Sequence, residues 1–435
     1  MKRLALFPDT TRIVGNALTI GGLDVASLAE QYGTPLYVYD RATLDSSLVE
    51  YQQALKAWYP GEAHLTYAGK AFFCRAIAEW IQQQGIWADC TGQTEIETAR
   101  AGEVAREHIV VHGVNKSAED IRCAQEDAGT IVIDNLTELN SIAAMRQRDP
   151  GGFAQPDLWF RLLPGIAVST HHSHTQTGQH GSKFGMTSEE LSEAAQTCQR
   201  LKLHWNGIHF HQGSNFRDPA PLVSAIELAL DLAKKLDVQQ AWHFCPGGGW
   251  SVAYHEDELP QPNIETYVRL IAQTMLEKCK ATSLPLPVLH LEPGRSLIAR
   301  AGVAVYKIGV AKRRSDRTWL LVDGGMADNP RHALYGSRYS CLPARGLDRP
   351  MTETVSIAGP FCESGDVLID EIELPRLDEG ELIAIPASGA YQLSMSSNYN
   401  GARRPAVVWL DGGGSRPIVR RETIEDLSQR DVSLA

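Results

Sequence analysis

The segment 64–70 reads HLTYAGK, a short β-type run that ends on a lysine. Seven more runs of this kind follow along the chain, and a segment of helical length separates each from the next. The eight predicted strands are 64–70, 86–90, 108–112, 130–134, 158–163, 205–211, 241–245 and 288–292. Strands that alternate with helices predict parallel βαβ units, and eight of them predict an α/β fold of the TIM-like (β/α)₈ barrel type. A doubly wound open sheet fits the same alternation.

Beyond residue 304 the pattern changes to β-type runs divided by turn clusters, among them DGGGS at 411–415. The predicted strands here are 304–310, 318–322, 352–358, 381–385 and 406–410. This change predicts a C-terminal all-β domain. We therefore expect a barrel over 35–295 and a β domain over 296–435, which the N-terminal stretch 1–34 joins through an extra strand near 12–20.

Composition narrows the classes of function. The chain has 435 residues, and its 52 acidic and 41 basic side chains give a net charge of −11. This charge disfavours a nucleic-acid or anionic-membrane surface, because phosphate binding needs concentrated positive charge. No run of 18 apolar residues and no secretory signal occur, and the eight cysteines are scattered without a CxxC pair. These features predict a cytoplasmic protein with free thiols and with neither a nucleic-acid nor a membrane partner.

Notable polar residues fall at the carboxyl ends of the predicted barrel strands. Lys70 ends the first strand, His211 ends the sixth, and Glu292 ends the eighth. In a TIM barrel this face carries the active site, and the loops after strands 7 and 8 often bind phosphate. A lysine at a strand end is usually an ordinary surface terminus, but at this position it is also a candidate Schiff-base lysine.

Two glycine-containing motifs follow the last two strands. The triplet Gly247, Gly248 and Gly249 is either a plain turn or a loop whose N–H groups approach a phosphate closely. In EPGR at 292–295, Arg295 can bind phosphate or carboxylate, and a carboxylate at Glu292 can keep a pyridine nitrogen protonated. A surface salt bridge is the alternative for this second motif.

Many short blocks, in order, resemble the fold-type III pyridoxal-phosphate-dependent decarboxylases, whose fold is alanine racemase-like. The resemblance covers nearly the whole chain. Its blocks are YAGKA at 67–71, HG at 112–113, NKS at 115–117, Arg161, PG at 164–165, SKFG at 182–185, HFHQGS at 209–214, GGG at 247–249, EPGR at 292–295, DGGM at 323–326, RHALY at 331–335, CESGD at 362–366, GAY at 389–391 and SMSSNYN at 394–400. Each block alone is modest, but this many in family order is specific.

The resemblance implies roles for matched residues. Lys70 would bind pyridoxal 5′-phosphate covalently, His211 would stack on its ring, and Glu292 would face the ring nitrogen. The other implied cofactor-binding residues are Ser214, Gly247, Gly248, Gly249, Gly294, Arg295 and Tyr391. The implied substrate-binding residues are Arg295, Arg331, Tyr335, Glu363, Ser364 and Tyr391. Cys362, the expected proton donor, and Glu363 would enter from the partner subunit of a homodimer.

The implied reaction is decarboxylation of meso-2,6-diaminopimelate to L-lysine and CO₂. Three alternatives stay open: a decarboxylase of a related amino acid or of a siderophore or antibiotic intermediate, a non-catalytic pyridoxal-phosphate-binding protein, and a racemase on the same barrel, which the second-domain motifs fit poorly. A cluster formed by His171, His172, His174 and His180 has spacing that could bind zinc or nickel. Without acidic or cysteine partners nearby, a polar loop is the better interpretation, and we expect no metal site.

Overall fold

The computed structural model describes residues 2–166, 177–239 and 241–434. Contacts divide the chain into two units. The first, here called the barrel unit, contains the described residues of 48–251 and 262–296. The second, here called the β unit, contains the described residues of 1–47, 252–261 and 297–435.

The described residues form twenty strands and twelve α-helices. The strands are β1 (Arg12–Val14), β2 (Ala17–Ile20), β3 (Leu23–Asp24), β4 (Leu36–Asp40), β5 (Ala63–Ala68), β6 (Trp87–Thr91), β7 (Ile109–His112), β8 (Thr130–Ile133), β9 (Asp157–Arg161), β10 (Gly207–His209), β11 (His243–Cys245), β12 (Val288–Leu291), β13 (Gly302–Arg313), β14 (Thr318–Val322), β15 (Leu342–Pro343), β16 (Glu353–Ala358), β17 (Val367–Leu374), β18 (Leu382–Ile385), β19 (Ala406–Asp411) and β20 (Gly414–Val419). The helices are α1 (Val25–Tyr32), α2 (Arg41–Trp58), α3 (Arg75–Gln84), α4 (Gln93–Ala101), α5 (Ala118–Asp127), α6 (Leu136–Arg148), α7 (Ser188–Leu201), α8 (Ala220–Lys235), α9 (Ile264–Thr282), α10 (Arg295–Ile298), α11 (Arg331–Tyr335) and α12 (Ile424–Ser428). Among these residues, no helix combines the length and apolar character that crossing a bilayer requires.

Strands β5 to β12 close into a parallel barrel, in which β12 pairs with β5. All residues of β7 and β8 are buried, as expected for parallel strands covered on both faces. Local sequence marks the helices between strands: Ser117 and Asp120 form a capping box at α5, and Gly85 ends α3 in the left-handed conformation. All eight predicted barrel strands are confirmed, which excludes the open sheet.

The β unit contains a mixed sheet in the order β17-β16-β14-β13-β4-β19-β20, which β18 and β15 extend from β13. Strands β1 to β3 form a separate antiparallel sheet. Their Leu18 and Ile20 share one apolar cluster with Val303, Val305 and Val408. The C-terminal strands therefore form a separate β-rich region, as predicted, although the short helices α11 and α12 mean that it is not purely β.

The division between 296 and 297 lies one residue from the predicted boundary at 295, whereas the first division falls after residue 47 rather than at the predicted 35. Strand β4 pairs with β13 and β19 in the β-unit sheet, although it precedes the barrel strands in sequence. Residues 252–261 also group with the β unit. The cause is that strand pairing, which is not local, assigns β4 to a sheet whose other strands come 260 or more positions later.

Candidate active site

Lys70 lies in a short 3-10 turn, Gly69–Ala71, directly after β5. Its Nζ donates a hydrogen bond to Oδ2 of Asp89 on β6, at 2.7 Å. The Asp89 side chain is 2% exposed, whereas that of Lys70 is 48% exposed. The lysine amine is therefore accessible to a ligand and is held by a buried carboxylate.

Glu292, the residue after β12, accepts hydrogen bonds from two histidines on other strands. His112 at the end of β7 approaches Oε1 through Nε2 at 3.0 Å. His209 at the end of β10 approaches Oε2 through Nε2 at 2.9 Å. The two rings lie 4.7 Å apart between centroids, and all three residues are buried. Barrel closure thus surrounds one carboxylate with two imidazoles.

Burial controls the protonation of this group. Burial lowers the pKa of His209 to about 4 against the attraction of Glu292, so His209 is neutral at pH 7. Burial by itself raises the pKa of Glu292, but the interactions with His209 and His112 outweigh it and hold that pKa well below its usual range. Burial, with the nearby charge of Glu292, also raises the pKa of the Cys245 thiol well above its usual value. The site therefore pairs an ionised Glu292 carboxylate with a neutral His209 imidazole.

The glycine triplet packs too tightly against neighbouring backbone to carry side chains. A Cβ on Gly248 would lie 2.0 Å from the carbonyl oxygen of Glu292, and one on Gly249 would lie 2.0 Å from that of Gly213. The Gly248 N–H donates to Nδ1 of His211 at 3.3 Å. In this contact Nδ1 of His211 is the acceptor. Burial lowers the pKa of the His211 imidazole well below its usual value.

Arg295 and Ser214 meet at the same end of the barrel. Nη2 of Arg295 donates to Oγ of Ser214 at 2.8 Å, and Arg295 is 5% exposed. Gly294 packs on β5, since a Cβ there would lie 2.9 Å from Cβ of Ala68, two residues before Lys70. The barrel thus brings together the predicted residues from four separate stretches of sequence. These residues are Lys70, His211, Ser214, Gly247, Gly248, Gly249, Glu292, Gly294 and Arg295.

The other predicted site residues lie in the β unit. Arg331 begins α11 and is 1% exposed, with Nε bonded to the Tyr339 hydroxyl at 2.9 Å and Nη2 to Ser337 at 3.1 Å. Tyr335 ends the same helix, 5.8 Å from the Arg331 guanidinium. Tyr391 has a left-handed backbone with φ of 58°.

Cys362, Glu363 and Ser364 lie together in the exposed loop between β16 and β17. Buried Asp366 holds this loop by accepting hydrogen bonds from the backbone N–H groups of Met326 at 2.7 Å and Phe361 at 2.8 Å. The thiol and carboxylate of the motif are therefore presented to solvent on a loop that is well anchored.

Sequence reasoning assigned no role to Asp89, His112 or His209. The rule that polar residues at strand ends form the site would have found His112, which ends a predicted strand. Along the predicted strand 205–211, period-two alternation would point His209 and His211 to the same face, but β10 ends at His209. The two side chains therefore have different partners, Glu292 for His209 and the Gly248 N–H for His211.

A metal site was not expected from the sequence. Of the predicted histidine cluster, His171, His172 and His174 lie outside the described residues, and His180 is in an exposed turn. Within the described residues, His112, His209 and Glu292 have ligand atoms within 4.8 Å of one another. Their N···O distances of 2.9–3.0 Å are those of direct hydrogen bonds.

Comparisons with known proteins relate this chain to decarboxylases. The family model described as "Pyridoxal-dependent decarboxylase, pyridoxal binding domain" matches residues 43–299. A diaminopimelate decarboxylase of Bacillus subtilis is 38% identical over 427 residues, which cover 95% of each chain. One from Synechocystis is 36% identical over 446 residues, covering 98% of this chain and 92% of the relative. The crystal structure of the M. jannaschii diaminopimelate decarboxylase superposes with a TM-score of 0.91 at 30% identity, over 98% of both chains.

The barrel and its site define a pyridoxal-dependent decarboxylase. Within that class, the chain belongs to the diaminopimelate decarboxylase family.

The residues present fit the cofactor of this family, pyridoxal phosphate. Lys70 offers an accessible amine to an aldehyde, and Glu292 offers a buried anion to a ring nitrogen. The glycine loop offers backbone N–H groups, and Ser214 and Arg295 offer a hydroxyl and a guanidinium, which suit a phosphate.

Proposed function

We propose that this chain removes CO₂ from meso-2,6-diaminopimelate and forms L-lysine. The observation that carries the proposal is the barrel site, which combines the Lys70–Asp89 pair with the buried Glu292 carboxylate. Support comes from relatives of 31–38% identity that bear the name diaminopimelate decarboxylase. The M. jannaschii and Helicobacter pylori enzymes have also been crystallised with L-lysine, the product of this reaction.

Pyridoxal phosphate, when bound, supplies a protonated ring that accepts the electron pair released as CO₂ departs. Lys70 provides the amine that holds the cofactor, and Asp89 keeps that amine in place. Glu292 provides the negative charge that favours a proton on the ring nitrogen. Ser214, Arg295 and the glycine loop hold the phosphate, while His211 lies beside them.

We assign substrate recognition to residues of the β unit together with Arg295. Arg331 and Tyr335 lie four positions apart, at the two ends of α11, and a guanidinium with a neighbouring phenol suits the distal carboxylate of a dicarboxylic substrate. Glu363 suits the distal ammonium, and Ser364 and Tyr391 complete the set. A substrate with two carboxylates and two amines is the kind that needs such a set.

We further propose that the active unit is a homodimer with shared sites. Cys362, the proposed proton donor, and Glu363 lie on the exposed, anchored loop of the β unit, and we assign both to the site of a second copy. The free cysteines suit a reducing compartment, and we place the protein in the cytoplasm.

Release of CO₂ from a panel of amino acids tests the proposal. Purified protein with added pyridoxal phosphate should release CO₂ from meso-diaminopimelate in preference to L-lysine, L-ornithine, L-arginine and L-glutamate. The Lys70→Ala variant is the matched negative control. Release from ornithine or arginine but not from diaminopimelate would overturn the substrate assignment.

A further inference from the structure

The hydrogen bonds that His112 and His209 make to Glu292 carry an inference about cofactor binding. We propose that His112 and His209 are positioning residues that together orient the Glu292 carboxylate toward the ring nitrogen of the cofactor. This inference rests on the proposed function, since it concerns the same bound group. Neither histidine needs to touch the substrate.

The two histidines bond different oxygens of the Glu292 carboxylate. His112 donates to Oε1 at 3.0 Å and His209 donates to Oε2 at 2.9 Å, so each carboxylate oxygen has its own donor. The three residues come from three strand ends of the barrel, and their side chains are at most 9% exposed. Two donors from different strands fix both the position and the rotation of the carboxylate, which one donor would leave free to turn. Each oxygen keeps a second lone pair for another donor.

The protonation states are consistent with this arrangement. Within the described residues, Nδ1 of His209 is buried without a hydrogen-bond partner. A proton on that nitrogen would be a buried donor without an acceptor, so His209 carries its single proton on Nε2 and donates it to Glu292. A neutral donor stabilises the carboxylate without cancelling its charge. Glu292 therefore keeps a full negative charge to interact with a protonated ring.

The same atoms argue against a resident metal ion. Histidines that bind a metal usually donate their other ring N–H to a carboxylate or carbonyl, and Nδ1 of His209 lacks such a partner among the described residues. The direct N···O contacts also leave no room for an ion between the ligand atoms without movement of the side chains.

The test compares a donor with an isosteric non-donor at each position. Glutamine at position 112 or 209 can present an N–H at about the reach of Nε2, whereas methionine has similar length and no donor. The titrants are pyridoxal phosphate and its 1-deaza analogue, which has a C–H in place of the ring nitrogen. Affinity for the cofactor-free protein is measured by fluorescence or calorimetry, so the readout does not depend on turnover.

We expect His209→Met and His112→Met to bind pyridoxal phosphate roughly tenfold more weakly than wild type, as the loss of a charge-assisted hydrogen bond implies. Their affinity for the deaza analogue should stay at the wild-type value, and the Gln variants should recover most of the pyridoxal phosphate affinity. His290→Met is the control, because His290 is a fully buried barrel histidine that bonds His243. It should bind both compounds as wild type does.

Several outcomes would overturn the inference. Equal losses for both compounds would assign the histidines a purely structural role. Unchanged pyridoxal phosphate affinity in both Met variants, with Zn²⁺ binding by the wild type that these variants lose, would indicate a metal site instead. If wild-type protein binds no pyridoxal phosphate, the proposed function fails along with the inference. If wild-type protein binds pyridoxal phosphate but the Met and Gln variants bind it with equal affinity, the inference fails and the proposed function stands.

Discussion

Replacing Gly248 by alanine would put a methyl group into a space that backbone already occupies. The new Cβ would lie 2.0 Å from the Glu292 carbonyl oxygen and 2.8 Å from its carbonyl carbon. Ordinary van der Waals contact begins at 3.4 Å, so the two segments must separate by about 1.4 Å (3.4 minus 2.0). The obstacle is the backbone of Glu292 itself, which cannot turn away as a flexible side chain could.

That displacement moves the carboxylate as well as the loop. A shift of this size is enough to break hydrogen bonds that now measure 2.9 and 3.0 Å, from His209 and His112. Overpacking of a tight site costs about 1–3 kcal/mol of unfolding free energy. We therefore expect Gly248→Ala to lower the Tm by several degrees and to weaken pyridoxal phosphate binding at least tenfold.

The assay is thermal unfolding together with cofactor titration of the purified variant. Gly309→Ala in β13 is the matched control, since its nearest neighbour, the Leu321 carbonyl oxygen, would be 3.8 Å from the new Cβ. Gly309→Ala should behave as wild type in the titration. A Gly248→Ala protein with wild-type Tm and wild-type cofactor affinity would refute the steric reasoning.

Four further predictions concern the cofactor lysine, the substrate, the subunits and pH. Borohydride reduction of the loaded protein followed by peptide mapping should find pyridoxal phosphate on Lys70, and an adduct on another lysine would contradict that assignment. Arg331→Ala should cost about 2–5 kcal/mol in kcat/KM for diaminopimelate while cofactor affinity is kept, and unchanged kinetics in a folded variant would remove its substrate role. Lys70→Ala and Cys362→Ala subunits, each nearly inactive alone, should recover up to roughly a quarter of wild-type activity after exchange, because half of the dimers are mixed and each of these has one intact site. Proven exchange without recovery would exclude shared sites. The folded-state pKa of His209, about 4, lies below its unfolded value near 6.5, so the unfolded chain binds more protons as pH falls between these values. Unfolding free energy should therefore fall by about 3 kcal/mol from pH 6.5 to 4 in wild type relative to His209→Gln, and parallel pH profiles would count against the buried neutral imidazole.

The alternation of strands and helices predicted the barrel well, because each barrel strand is an apolar run that can be recognised locally. The β unit was predicted less completely. Strand β17 was missed: its Asp370, Glu371 and Glu373 are acidic, and these residues lower β propensity although they point to solvent. Strand β20 was missed because it is an edge strand that contains Pro417 and no buried residue. In both cases the partner strand, rather than the segment itself, stabilises the extended conformation.

Local sequence by itself determined the fold class, the carboxyl-end location of Lys70 and Glu292, and the motifs that mark the family. Only the tertiary structure decided which side chains meet. His112 and Glu292 lie 180 positions apart in sequence and 3.0 Å apart in space, and Asp89 reaches Lys70 from the neighbouring strand. The physical reason is that periodicity and turn chemistry act over a few residues, whereas barrel closure sets distances between strand ends through register and packing, which no single segment encodes.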